Sequence, residues 1–186
     1  MNNLCADIGY RSLIKYGEEL CGDNIQVIEK DDGSTIIVLA DGLGSGVKAN
    51  ILSTLTSKIL STMMAQGMKV EDCVETMAQT LPVCSVRGVA YSTFTIIYIR
   101  DNDEADIIQY DNPDVILLRN GQNYDYPQTI SDICGKKISR STIKLCEDDI
   151  FIAMSDGCIH ASIGQELNFG WDRSEIIEFM ESFFQV

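Results

Sequence analysis

The chain of 186 residues is 45% hydrophobic, 23% charged and 8% aromatic with three prolines, the make-up of a folded domain with a substantial core rather than a disordered segment. Fourteen Lys and Arg against 28 Asp and Glu leave a formal charge of −14, which excludes a basic footprint for nucleic acid or an anionic membrane. The first residues lack the basic-then-apolar order of a secretory leader, and apolar runs such as Ile36–Ala40 are far too short to span a bilayer.

These features predict a cytoplasmic chain with neither a nucleic-acid nor a membrane partner. The seven cysteines form no C-x-x-C pair and are odd in number, so neither a zinc site nor a disulfide framework is expected; buried free thiols are. No repeat or Pro/Ser-rich linker divides the sequence, so residues 1–186 are read as one domain.

A short strand is expected over Ile25–Ile28, and the continuous apolar run Thr35–Ala40 predicts a strand buried on both faces. From about Ser45 to Gln66, Val47, Ile51, Leu55, Ile59 and Met63 recur at four-residue spacing, predicting an amphipathic helix with these side chains inward and Gly67 as its stop. A second helix is expected over Val70–Thr80, before Pro82. Met63, Met64, Met68 and Met77 read as core filling for these helices.

The period then changes. Ser92–Ile99, Ala105–Tyr110, Val115–Arg119, Asn123–Tyr126, Ser139–Leu145 and Ile150–Met154 read as strands, with hairpin turns at Asn102-Asp103 and Asn120-Gly121. A last helix is predicted over Arg173–Phe184 with Asp172 as its N-cap, and Phe169 and Trp171 as packing anchors beside it. Helices segregated from a run of mostly antiparallel strands indicate an α+β sandwich rather than a doubly wound parallel sheet.

Three aspartates stand where a strand gives way to a glycine loop: Asp23 after Gly22, Asp41 before Gly42, and Asp156 before Gly157. A carboxylate at the end of a buried strand is costly unless it meets water, a partner or a metal. The neighbouring glycine allows a sharp turn and offers its carbonyl oxygen as a hard ligand. Carboxylates and a carbonyl suit Mg²⁺ or Mn²⁺ rather than zinc or copper. A nucleotide-binding loop fits poorly, because Gly42-Leu43-Gly44-Ser45-Gly46-Val47-Lys48-Ala49 breaks both the dinucleotide fingerprint and the P-loop pattern. His160 lies near Asp156-Gly157, but a lone histidine is read as structural. Cys21 and Cys158 adjoin two of the aspartates and are read as inert.

Cys21-Gly22-Asp23, Ala40-Asp41-Gly42-Leu43-Gly44-Ser45-Gly46-Val47-Lys48-Ala49 and Tyr91-Ser92-Thr93-Phe94 resemble the metal-dependent serine/threonine phosphatases, in particular the bacterial branch typified by sporulation stage II protein E. Asp111-Asn112-Pro113-Asp114 through Gly121, and Phe151 through Gly157, continue the similarity in order. The resemblance implies an α-β-β-α sandwich of two antiparallel sheets flanked by helices, holding two Mn²⁺ or Mg²⁺ ions at one end. It implies that Asp41 bridges both ions and is the catalytic residue through the water they hold. Asp23 and the Gly42 carbonyl would complete one metal site, and Asp156 would serve the other. The implied partner is a phosphoserine or phosphothreonine protein with a regulatory role.

Two departures shape these expectations. The family's closing Gly-Asp-Asp-x-Thr run is not in the sequence, and Asp148-Asp149 comes out of order for it. The expectation is therefore a C-terminally incomplete domain without its last strand, weakly active and prone to form a homodimer at the open edge. A catalytically deficient regulatory module on the same fold is the alternative. The phosphate-gripping arginine of eukaryotic relatives has no counterpart, leaving Arg11, Lys15 and Lys48 as substitutes.

Overall fold

A computed structural model describes residues 4–80, 92–161, 163 and 170–184. Pro82, Cys84, Tyr91 and Phe169 lie outside the described residues. Strands β1 (Asp23–Glu29), β2 (Thr35–Gly42), β3 (Ser92–Arg100), β4 (Glu104–Tyr110), β8 (Lys136–Lys144) and β7 (Thr129–Ile133) form, in that spatial order, a six-stranded antiparallel sheet. A second antiparallel sheet of three strands has the order β6 (Gln122–Asn123), β5 (Ile116–Arg119), β9 (Ile150–Ile152). Helices α1 (Gly46–Ala65) and α2 (Val70–Thr80) connect β2 to β3; α3 (Asp156–Ile159) follows β9, and α4 (Arg173–Ser182) comes last. The α+β architecture expected from the sequence is the one observed.

Alternation along the strands divides the apolar residues between two faces. Ile36, Val38, Phe94, Ile96 and Ile108 face α1 and α2, where Leu60, Met64, Val74 and Met77 complete a core. Ile97, Ile99, Ile107 and Ile143 face the smaller sheet and pack on Val115 and Leu117. A third cluster joins Ile116 and Leu118 on the other face of β5 to Ile176 of α4. The buried strand over 35–40, the helix over 70–80 and the Asp172 cap stand as read, the cap as a complete capping box with Glu175. Asn120 and Gly121 have φ of 52° and 74°, the backbone a type I′ turn requires. Trp171 packs with α4, edge to face against Phe179.

Several readings need correction. Helix α1 runs where expected but with a different face inward: Ala49, Leu52, Ser53, Thr56, Ser57, Leu60, Ser61 and Met64 are buried, while Val47, Ile51 and Leu55 are exposed. Ile59 and Met63, further along the expected row, are partly buried and pack on the core as expected, so the apolar row begins on the outer face and turns inward. The inner stripe of Ala and Ser lets the helix lie close to β1 and β2, and its hydroxyls are satisfied locally, as Ser57 donates to the Ser53 carbonyl at 2.8 Å and Thr56 to that of Leu52 at 2.9 Å. Met68 is 41% exposed rather than core. Of the described cysteines only Cys73 is buried, and all of them are free. The strand expected over Asn123–Tyr126 stops at Asn123, because the Tyr126 hydroxyl turns in to donate to the Val115 carbonyl at 2.6 Å. Strand β7 escaped the reading because it is exposed along nearly its whole length and has no buried face to leave a pattern.

Candidate functional site

In the antiparallel pairing of β1 with β2, Asp23 stands opposite Asp41. They continue the row of Ile25 and Leu39, so both carboxylates leave the sheet on the side facing the smaller sheet. From that second sheet, the chain leaves β9 through Ala153, Met154 and Ser155 and delivers Asp156 as the first residue of α3. The Ser155 hydroxyl donates to Asp23 Oδ2 at 2.8 Å, tying the two sheets together at this point. The structure thus brings Asp23, Asp41 and Asp156 to one end of the sandwich.

Opposed like charges on neighbouring strands are unfavourable, and here three carboxylates meet. Burial, then the charges of Asp23 and Asp156 and shared hydrogen bonding with both, push the Asp41 carboxyl up to about 8. The Cys158 thiol is pushed above its ordinary value by partial burial and by the same two carboxylates, which places it beside them.

The glycines have steric reasons. A Cβ on Gly42 would lie 2.0 Å from the Ala49 carbonyl oxygen, so only glycine allows α1 to begin this close to β2. The Gly42 N–H donates to the Gly22 carbonyl at 3.1 Å, holding the loops before Asp23 and after Asp41 side by side. Asn50 Nδ2 donates to the Cys21 carbonyl, and the Ser92 hydroxyl to the Asp41 carbonyl. Glu18 accepts from the Ser45 hydroxyl at 2.6 Å, just before the first turn of α1. Ser92, Ser155 and Glu18 were not singled out from the sequence. Ser155 had one available signal, its place immediately before Asp156; Glu18 had none, being 27 residues from Ser45.

The other candidates separate clearly. Asp149 is not in this cluster: it accepts a two-pronged pair of hydrogen bonds from Arg119, both at 2.8 Å. His160 is exposed and caps α3 through its backbone N–H. Arg11 and Lys15 are exposed on the segment before β1.

The donor set is oxygen-only and its carboxylates are crowded enough to raise Asp41, which suits a hard divalent cation. Among the described residues no three His, Cys, Asp or Glu side chains form a finished cation cage. The fit therefore lies in donor chemistry and charge, centred on Asp41.

Residues 31–182 match the family described as Stage II sporulation protein E (SpoIIE). The chain belongs to the SpoIIE family. The PP2C phosphatase domain of SpoIIE from Bacillus subtilis, solved with a fragment of its regulatory domain, is similar in fold with a TM-score of 0.72 at 18% identity, covering 95% of this chain and 51% of that one. The RsbU and RsbW domains of Rv1364c from Mycobacterium tuberculosis match with a TM-score of 0.70 at 16% identity over 92% of this chain and 48% of theirs. RsbX, solved in complex with magnesium, is 25% identical with a TM-score of 0.62, covering 94% of this chain and 86% of that one. This member of the SpoIIE family thus spans about half the length of the first two structures. A search of curated proteins gives no match.

Proposed function

We propose that the chain is a metal-dependent phosphatase of phosphoserine and phosphothreonine in a regulatory protein. The observation that carries this reading is the meeting of Asp23, Asp41 and Asp156, close enough that the first and last raise the Asp41 carboxyl, in a chain of the SpoIIE family. Asp41, Asp23, the Gly42 carbonyl and Asp156 would hold Mn²⁺ or Mg²⁺, with Asp41 shared between two ions. When bound, the ions supply Lewis-acid stabilisation of the phosphoryl oxygens and lower the pKa of water.

The chain's own groups do the positioning. Ser155 fixes one oxygen of Asp23 and with it the orientation of that carboxylate. The Ser92 hydroxyl and the Gly42–Gly22 hydrogen bond hold the backbone on both sides of the Asp41 side chain. Without a cation, Asp41 keeps a proton on its carboxyl into the neutral range, and cation binding would displace it.

The test is phosphate release from para-nitrophenyl phosphate and from a phosphoserine peptide over a Mn²⁺ series, with Asp156→Asn as control. Metal-dependent release that Asp156→Asn reduces or shifts to higher Mn²⁺ is the expected result. No release from either substrate at any Mn²⁺ concentration, despite Mn²⁺ binding, would favour the catalytically deficient module instead.

A further inference from the structure

Helix α1 leaves the candidate site and presents an unusual outer face. At 100° per residue, Val47, Lys48, Ile51, Leu55, Lys58 and Thr62 fall within one third of its circumference, and all six are exposed. Val47 is 58%, Ile51 53% and Leu55 47% exposed, so half of each apolar side chain meets solvent along two turns. The core does not require them, because the inner stripe of Ala49, Ser53, Ser57 and Ser61 already closes the helix on β1 and β2. Scattered apolar residues on a surface need no explanation, whereas an aligned stripe beside a site does.

The charge of this helix is equally out of character. In a chain with a formal charge of −14, the 20 residues of α1 include two lysines and no acid; Lys48 borders the stripe and Lys58 continues it one turn beyond Leu55. The segment before β1 is tied to the same end of the helix, through Glu18 to Ser45 and through the Cys21 carbonyl to Asn50, and adds exposed Leu20 there.

We propose that the outer face of α1, with Val47, Ile51 and Leu55 alongside Lys48 and Lys58, is the docking surface for the protein substrate, and that it takes an acidic amphipathic helix of that partner. The proposal rests on the phosphatase reading and adds the partner's chemistry to it. An apolar stripe that carries lysines fits an apolar stripe that carries carboxylates. The face starts at Gly46, four residues from Gly42, so a partner docked along α1 has its neighbouring residues at the carboxylate cluster. Elsewhere the acidic surface repels such a partner, which makes the face selective.

The test is fluorescence anisotropy of the full chain with two labelled 20-residue phosphoserine peptides at physiological salt, one amphipathic and acidic, the other identical but with lysine for each acid. The net charge of −14 by itself favours the basic peptide, so preference for the acidic one isolates the local face. The acidic peptide is expected to bind about tenfold more tightly than its basic twin, and to lose about tenfold on Ile51→Ser/Leu55→Ser. Lys58→Glu, a surface change that leaves folding intact, should weaken it about threefold. Equal binding of the two peptides, or unchanged binding by both variants, overturns the proposal. So does a dimer in sedimentation velocity that Ile51→Ser/Leu55→Ser dissociates, since a second copy would then cover the face. Binding is read without metal or turnover, so its failure is separate from failure of the phosphatase reading, which phosphate release by the wild-type chain decides.

Discussion

Strand β9 has a carboxylate beyond each end, and the two are treated in opposite ways. Before it, the Asp149 side chain is 2% exposed, yet Arg119 grips both of its oxygens and the Cys146 N–H donates to one of them. The Tyr124 ring covers the same guanidinium at 4.3 Å. Beyond the other end, Asp156 joins Asp23 and Asp41, and the group most affected, Asp41, is pushed up to about 8. The first carboxylate brings its own cation and holds the end of β9 against β5. In the second set, the charges that act on Asp41 among the described residues are those of two further carboxylates. A buried acid with a built-in counterion is architecture; a group of acids crowded together is a place for a cation from outside.

The largest effect should come from breaking the self-sufficient end. Arg119→Ala leaves Asp149 buried and unpaired, and is expected to destabilise the protein by about 3 to 5 kcal/mol in urea unfolding. Asp41→Asn removes charge from the crowded end, and should leave the metal-free protein as stable or more stable at pH 8. If both substitutions destabilised equally, the two ends would not differ in kind.

Gly42→Ala tests the scaffold between them. Its methyl would meet the Ala49 carbonyl at 2.0 Å, a backbone atom that cannot swing aside, so a loss of about 1 to 3 kcal/mol is expected. An unchanged melting temperature would show that α1 is not held this close to β2.

The pH dependence has a definite sign. The Asp41 carboxyl binds its proton more tightly folded than unfolded, so its contribution to stability is fully present below its ordinary value near 3.8 and is lost as pH rises to about 8. The metal-free protein should lose stability across that window relative to Asp41→Asn, and Mn²⁺ should remove the difference. Parallel stability curves for the two proteins would contradict the crowding.

Smaller effects complete the contrast. Ser155→Ala frees Asp23 Oδ2 and should weaken Mn²⁺ binding by about tenfold, as loss of groups that orient ligands does. His160→Ala, at an exposed position, should change stability by less than about 0.5 kcal/mol.

Much of this contrast was legible in the chain. Asp23, Asp41 and Asp156 announce themselves by standing next to glycines near the ends of apolar strands, and the strong period changes mark most of the strands and helices around them. The pairing of Arg119 with Asp149 was not legible, because it joins residues 30 apart through the antiparallel pairing of β5 with β9. The orientation of α1 misled for a related reason: hydrophobicity marks the inner face of a helix only when packing wants bulk, and here it wants closeness. Glu18 and Ser92 act through tertiary hydrogen bonds that leave no periodic trace.

Calorimetric titration with Mn²⁺ tests the central claim most directly, comparing the wild-type chain, Asp41→Ala and Asp23→Ala. Asp41 is expected to serve both ions and Asp23 only one. Asp41→Ala should therefore lose essentially all binding, at least about 100-fold in affinity, while Asp23→Ala keeps a weaker remnant. Mn²⁺ binding by Asp41→Ala as tight as that of the wild-type chain would contradict the assignment of Asp41 to the centre of the site.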